Sequence, residues 1–212
     1  MSTPIYLTTV LVAILTAVFS ALVVTPGVLR KEFDGQIKLH VSVKQMKNSE
    51  GRIKKFLDDR GLSSESTIYE IADVLNVVEG GIDNTLVERA RLCEPDNNGK
   101  MVVLFKKGST REERKFDFAH ECAHLINGDP IPSTRPGGHN KPKLEQIADY
   151  TAAALLMPFD RVNDFLTKNE YLKADKNKRY TLVRKICQIY GVSEIIALRR
   201  INEVLILKKI ER

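Results

Sequence analysis

The spacing of apolar residues changes several times along the chain, and each change predicts a different element. Ile5 to Val24 is apolar apart from Thr8, Thr9, Thr16 and Ser20, and residues 1–29 hold no charged side chain. Wound as a helix, residues 5–24 would reach about 30 Å, the thickness of a bilayer's hydrocarbon core. Hydroxyl side chains are tolerated there because they bond back to their own helix. No lysine or arginine precedes this segment, whereas Arg30, Lys31, Lys38, Lys44 and Lys47 follow it. The asymmetry predicts a single-pass anchor in the cell membrane, with the N-terminus outside and the remainder in the cytoplasm. A cleaved signal peptide, with Val18-Phe19-Ser20 as its cleavage site, and a buried core helix are the competing readings. The missing basic leader weighs against the first, and the missing polar stripe against the second.

Beyond the apolar segment the period shortens to two. Ile37, Leu39, Val41 and Val43 alternate with Lys38, His40 and Ser42, a half-buried strand pattern that leaves His40 at the surface. Helical spacing then returns over Asn48 to Arg60, with Ile53, Phe56 and Leu57 on one face and Gly61 at the end. Thr67 to Glu70 forms a capping box, and Ile68, Ile71, Leu75 and Val78 continue a helix predicted to stop at Gly80-Gly81. Leu86–Cys93 and Met101–Phe105 read as two strands joined by a turn at Pro95 to Gly99, the second apolar enough to be buried on both faces.

A second capping box at Thr110 to Glu113 opens a helix that Asn127-Gly128 closes. Gly128 to Pro142, which holds His139, is rich in glycine and proline and predicts a loop. Lys143–Met157 is helical, with Pro158 as its stop. Three short helices follow near Phe159–Leu166, Arg179–Tyr190 and Ser193–Val204. These elements divide the chain into a membrane segment at 1–31, a juxtamembrane linker with the first elements at 32–66, and a main domain at 67–212.

Composition narrows the picture only in part. The chain has 212 residues, 43% hydrophobic and 28% charged, which excludes a disordered polymer. Its net charge of +6 is a bias toward acidic partners or membrane surfaces, and equally a soluble surface rich in lysine. Cys93, Cys122 and Cys187 form no CxxC pair, which fits a reducing compartment better than a disulfide framework.

The chemistry gathers in Phe116 to Gly128. His120 and His124 are four residues apart, so on a helix both imidazoles lie on one face and can reach one ion. Glu121 is displaced by about 100° around the helix, beside the ion and within reach of its water. Cys122, about 200° from His120, turns away into the core. This is the H-E-x-x-H spacing of zinc peptidases, and it predicts one Zn2+ per chain. A catalytic zinc needs a third protein ligand. Glu145 on the next helix is the candidate; the competing reading is a solvated charge. Asp149, one turn on, can accept a hydrogen bond from the second ring nitrogen of a ligating histidine. Glu121 would act as general base and then as proton donor to the leaving amine. The group that stabilises the developing oxyanion stays open between His139 and Tyr150; His139 reads equally as a loop surface residue.

The Phe116-to-Gly128 stretch, followed by Glu145 to Pro158 with its Leu155-Leu156-Met157-Pro158 end, resembles the ImmA/IrrE metallopeptidases. The resemblance spans roughly Ile68 to Ile201. Asp149 and Thr151 stand where that family usually shows Asn and Phe, and the apolar segment at 5–24 is not a usual part of it. The resemblance implies an α+β fold: a mainly helical, glutamate-zincin metallopeptidase domain with a small sheet, here behind an N-terminal transmembrane helix. It also implies His120, His124 and Glu145 as zinc ligands and Glu121 as base. The implied substrate is a protein, a helix-turn-helix repressor encoded nearby. A zinc-containing regulatory protein that docks a repressor or toxin partner without cutting it is the alternative. Ile186 to Ser193, with Ala197 and Arg199-Arg200, has the look of a helix-turn-helix. Because the family ends in such a helix pair packed on its catalytic domain, packing is favoured over direct nucleic acid binding.

Overall fold

The structure, a computed structural model, describes residues 41–129 and 142–210. The apolar segment 5–24, most of the alternating stretch that begins at Ile37, His40 and His139 lie outside the described residues. Among the described residues no helix is long and apolar enough to cross a membrane. The architecture is α+β and mainly helical, with seven helices and a three-stranded sheet among the described residues.

Helix α1 (Val43–Asp59) begins five residues earlier than its apolar period predicts. Ser42 accepts from the Gln45 backbone N–H, and the Gln45 side chain accepts from the Ser42 N–H. This capping box overrides the two-residue alternation, so Val43 opens a helix instead of closing a strand. Met46, Ser49, Ile53 and Leu57 form the buried face.

Helix α2 (Ile68–Val74) starts at the predicted capping box of Thr67 and Glu70 but does not reach Gly80-Gly81. Asn76 adopts φ 58°, and its side-chain amide donates to Gly99 O at 2.6 Å. Asparagine tolerates that left-handed conformation, which ends the helix and releases Val77-Val78 into strand β1 (Val77–Asp83). Gly80 belongs inside the strand because a Cβ there would collide with the Val102 side chain. Strand β2 (Ala90–Leu92) keeps only three residues of the predicted Leu86–Cys93 span. Strand β3 (Met101–Lys106) lies at the centre, parallel to β1 and antiparallel to β2. Val103 and Phe105 bury one face of β3, while Val102 and Leu104 on the other are half-covered. The predicted burial of both faces is therefore met on one.

Helix α3 (Arg111–Asn127) has the predicted capping box at Thr110 and Glu113, and Gly128 closes it at φ 74°. It packs on β2 and β3 and on helix α4 (Pro142–Leu156). Helices α5 (Phe159–Lys168), α6 (Lys176–Tyr190) and α7 (Glu194–Ile210) complete the chain. Helix α4 contacts α1, α3 and α7, so the C-terminal helix rests on the same element as the histidine helix.

Arg200 of α7 is fully buried where α1, α4 and α7 meet. Its Nη2 donates to Glu50 at 2.8 Å, Nη1 to the Tyr150 hydroxyl at 3.2 Å, and Nε to Met157 O at 2.9 Å. The Tyr150 hydroxyl in turn donates to Glu50 at 2.7 Å. A buried guanidinium is tolerated when its donors are satisfied, and removing it strands its partners. Arg200→Ala is expected to lower unfolding free energy by about 3–5 kcal/mol, read from urea denaturation.

Candidate metal centre

The site is built on one face of α3. Thr110 and Gly128 fix where the helix starts and stops, and its period brings His120 and His124 together. Their rings meet edge to face, with centroids 4.7 Å apart and planes at 83°. The two Nε2 atoms lie 3.0 Å apart. Glu145, carried in by the first turn of α4, places Oε2 3.1 Å from His120 Nε2 and 3.4 Å from His124 Nε2. These three ligand atoms form a cluster able to hold one metal ion.

Both rings are aimed from behind. Asp149 Oδ1 lies 2.9 Å from His120 Nδ1, and Asp129 Oδ2 lies 2.9 Å from His124 Nδ1. Each carboxylate accepts an Nδ1–H, so once a ring is neutral its Nε2 lone pair is the one left for an ion; with no ion present, a protonated ring donates Nε2–H to Glu145 instead. Two ligands on a tetrahedral zinc, at bonds of about 2.0–2.1 Å, sit about 3.3 Å apart. The observed separations of 3.0, 3.1 and 3.4 Å match that requirement. The donor set, two imidazoles and a carboxylate, suits the same ion.

The electrostatics agree with the geometry. Burial opposes charge on His120, but Asp149 and Glu145 outweigh it and push the ring up to about 9. The bonds from His120 and His124 hold the Glu145 carboxyl well below the usual carboxylate range. Burial would raise Asp149, yet His120 and Arg199 draw it down. A cation at this spot is therefore favoured by several groups at once.

A cavity of about 290 Å³ opens onto the cluster, lined by Glu88, Arg89, Ala90 and Arg91 from β2 and its approach, and by Asp117, Glu121 and Asp149 beside the ligand atoms. Glu121 is 7% exposed and faces this space with the two histidines, as its position one residue after His120 predicts. Asp117 bonds Arg89 through Oδ1 at 3.2 Å, while its buried Oδ2 has no hydrogen-bond partner among the described residues. Burial pushes its carboxyl up to about 6, although Arg89 pulls the other way.

Five of the residues singled out in the sequence converge here: His120, Glu121, His124, Glu145 and Asp149. Cys122 is fully buried and away from the cavity, as its angle on the helix predicts. Tyr150 does not join them. It is buried, with its hydroxyl held by Glu50 and Arg200, so it is a core residue and not a group lining the cavity. Its neighbour Asp149 faces the site and, at one residue's rotation around the helix, Tyr150 faces α1 and α7. Asp129 is not among the sequence candidates, and Arg199 figures there only in the stretch that looks like a helix-turn-helix. Asp129 carried a usable signal, since it directly follows the left-handed Gly128 that turns the chain back over His124, and its N–H donates to His124 O at 2.9 Å.

The profile of the M78 peptidases described as the IrrE N-terminal-like domain matches residues 83–202, a span that includes β3, α3, α4 and every ligand of the cluster. No curated protein matches the chain. Among solved structures the chain is similar to a Mycobacterium tuberculosis transcriptional regulator, with 16% identity and a TM-score of 0.46. The similarity covers 74% of this chain and 46% of that one, so the chain spans less than half the regulator's length.

Two outcomes are expected from this geometry. Asp129→Ala should weaken divalent metal binding by about tenfold to a hundredfold, measured by competition with a chromophoric chelator. Asp117 binds its proton more tightly folded than its ordinary value of 3.8, so stability should fall as pH rises through about 4 to 6. Thermal unfolding of Asp117→Asn across that range should lack this fall.

Proposed function

We propose that this chain, which belongs to the M78 peptidase family of IrrE N-terminal-like domains, is a zinc-dependent endopeptidase. The observation that carries the reading is the convergence of His120, His124 and Glu145 on one point, with Glu121 facing the same cavity. A structural zinc site is closed by four protein ligands, whereas three ligands beside a cavity leave room for water and substrate.

When bound, zinc would supply Lewis acidity, lowering the pKa of a coordinated water and polarising the scissile carbonyl. The chain's own residues do the rest. Glu121 accepts a proton from the attacking water and delivers it to the leaving amine, so the amide bond breaks without releasing a free amide anion. Asp149 and Asp129 keep both imidazoles in the tautomer that presents Nε2. Tyr150 is engaged in the core, and His139, the other sequence candidate for the oxyanion, lies outside the described residues.

The proposed substrate is a regulatory protein, a transcriptional repressor of the helix-turn-helix kind. The proposed location is the cytoplasmic face of the cell membrane, resting on the apolar run of residues 5–24 and on the basic residues that follow it.

Glu121→Gln tests the mechanism. The variant should bind zinc with the stoichiometry of the wild type and cleave about 10²- to 10⁴-fold more slowly. Chelation should abolish cleavage and zinc should restore it. An intact partner recovered in complex, with biological function surviving Glu121→Gln, would instead establish a docking protein that does not cut.

A further inference from the structure

The C-terminal helix reaches the site through a residue that neither the family match nor the ligand set singles out. We infer that Arg199 is a positioning residue for the metal centre, holding Asp149 so that His120 presents Nε2 to the ion. The inference rests on the zinc reading above.

Asp149 divides its two oxygens between two partners. Oδ1 takes the His120 Nδ1 contact at 2.9 Å, and Oδ2 accepts from Arg199 Nη1 at 3.3 Å. A carboxylate held at both oxygens cannot rotate without losing both bonds. Arg199 is itself fixed: its Nε donates to Glu203 Oε1 at 3.1 Å, and the Glu203 side chain is 1% exposed. The order of support therefore runs from Glu203 through Arg199 and Asp149 to His120. The planar guanidinium is suited to this task because its Nε and Nη1 donors are fixed relative to each other and meet two carboxylates at once.

This placement gives a function to a stretch that resembles a DNA-reading helix pair. Arg199 is 14% exposed and turned toward Asp149, and Arg200 is fully buried against Glu50 and Tyr150. Neither guanidinium is presented outward to a phosphate backbone. The competing view is that Arg199 only neutralises the buried Glu203. That view predicts an effect on stability and none on metal affinity.

The test is zinc affinity of the full chain, measured by competition with a fluorescent zinc chelator, alongside the urea unfolding midpoint. Arg199→Gln removes one of the two guanidiniums beside buried Glu203, the other being Arg200 at 3.8 Å, so it is read together with Arg199→Gln/Glu203→Gln, which keeps the local charge balanced. Both variants should bind zinc about tenfold more weakly than the wild type. In an Asp149→Ala background the Arg199 substitution should cause no further loss, because the bond it acts through is gone. Wild-type zinc affinity in the folded double variant would overturn the inference and leave the zinc reading standing. Failure of the wild-type chain to bind zinc at all would overturn both.

Discussion

Two imidazole nitrogens with their lone pairs turned toward each other at 3.0 Å repel unless positive charge lies on or between them. Most of the described fold can be understood as the machinery that enforces this contact. Asp129 and Asp149 occupy the two Nδ1 atoms and so forbid the rings from relieving the repulsion by exchanging tautomers. Glu145 then adds a third electron-rich atom to the same point. A proton on His120, whose pKa is pushed to about 9, answers part of that demand. A divalent ion would answer it for all three candidate ligand atoms together.

The contact depends in turn on where α3 begins and ends. Its capping box fixes the first turn, and left-handed Gly128 delivers Asp129 beneath His124 within two residues of the helix end. Helix α4 must then lie close enough for its first turn to reach across to α3. Its other faces are held by α1 and α7, through Tyr150, Glu50 and Arg200. The charged core is therefore part of the site's rigidity: it sets the rotation of α4, and that rotation decides that Asp149 faces the histidines while Tyr150 does not.

Local signals were legible in the sequence where one residue pair decides the structure. The Thr67, Thr110 and Gly128 boundaries and the facing of His120 and His124 follow from spacing within a helix, and Glu145 follows from the need of two histidines for a third ligand on a neighbouring helix. The misreadings occurred where a nonlocal contact decides. The Val77-Val78 pair reads as the end of a helix until β3 is there to pair with it, and Gly80 reads as a breaker until Val102 is seen to need the space. The alternation ahead of α1 is outweighed by the capping box of Ser42 and Gln45, which opens a helix at Val43. Tyr150 is one of two open candidates for the oxyanion group by nearness in sequence, and one residue on a helix is a rotation of about 100°, which turns it to Glu50 and Arg200.

Arg199 and Arg200 show why adjacency in sequence says little about role. The same rotation that separates Asp149 from Tyr150 on α4 separates these two arginines on α7, so each meets the partner on its own side. Arg199 meets Asp149, and Arg200 meets Tyr150 with Glu50. Two neighbouring residues on one helix thus engage two neighbouring residues on another, in register, one pair facing the metal centre and the other the core. A shift of α7 by a single residue would bring one arginine to the wrong partner and an aliphatic side chain, Leu198 or Ile201, to the other. The cluster of charge that resembles a nucleic-acid-reading surface in the sequence is, in the fold, the register mark that docks the last helix onto the helix carrying Glu145.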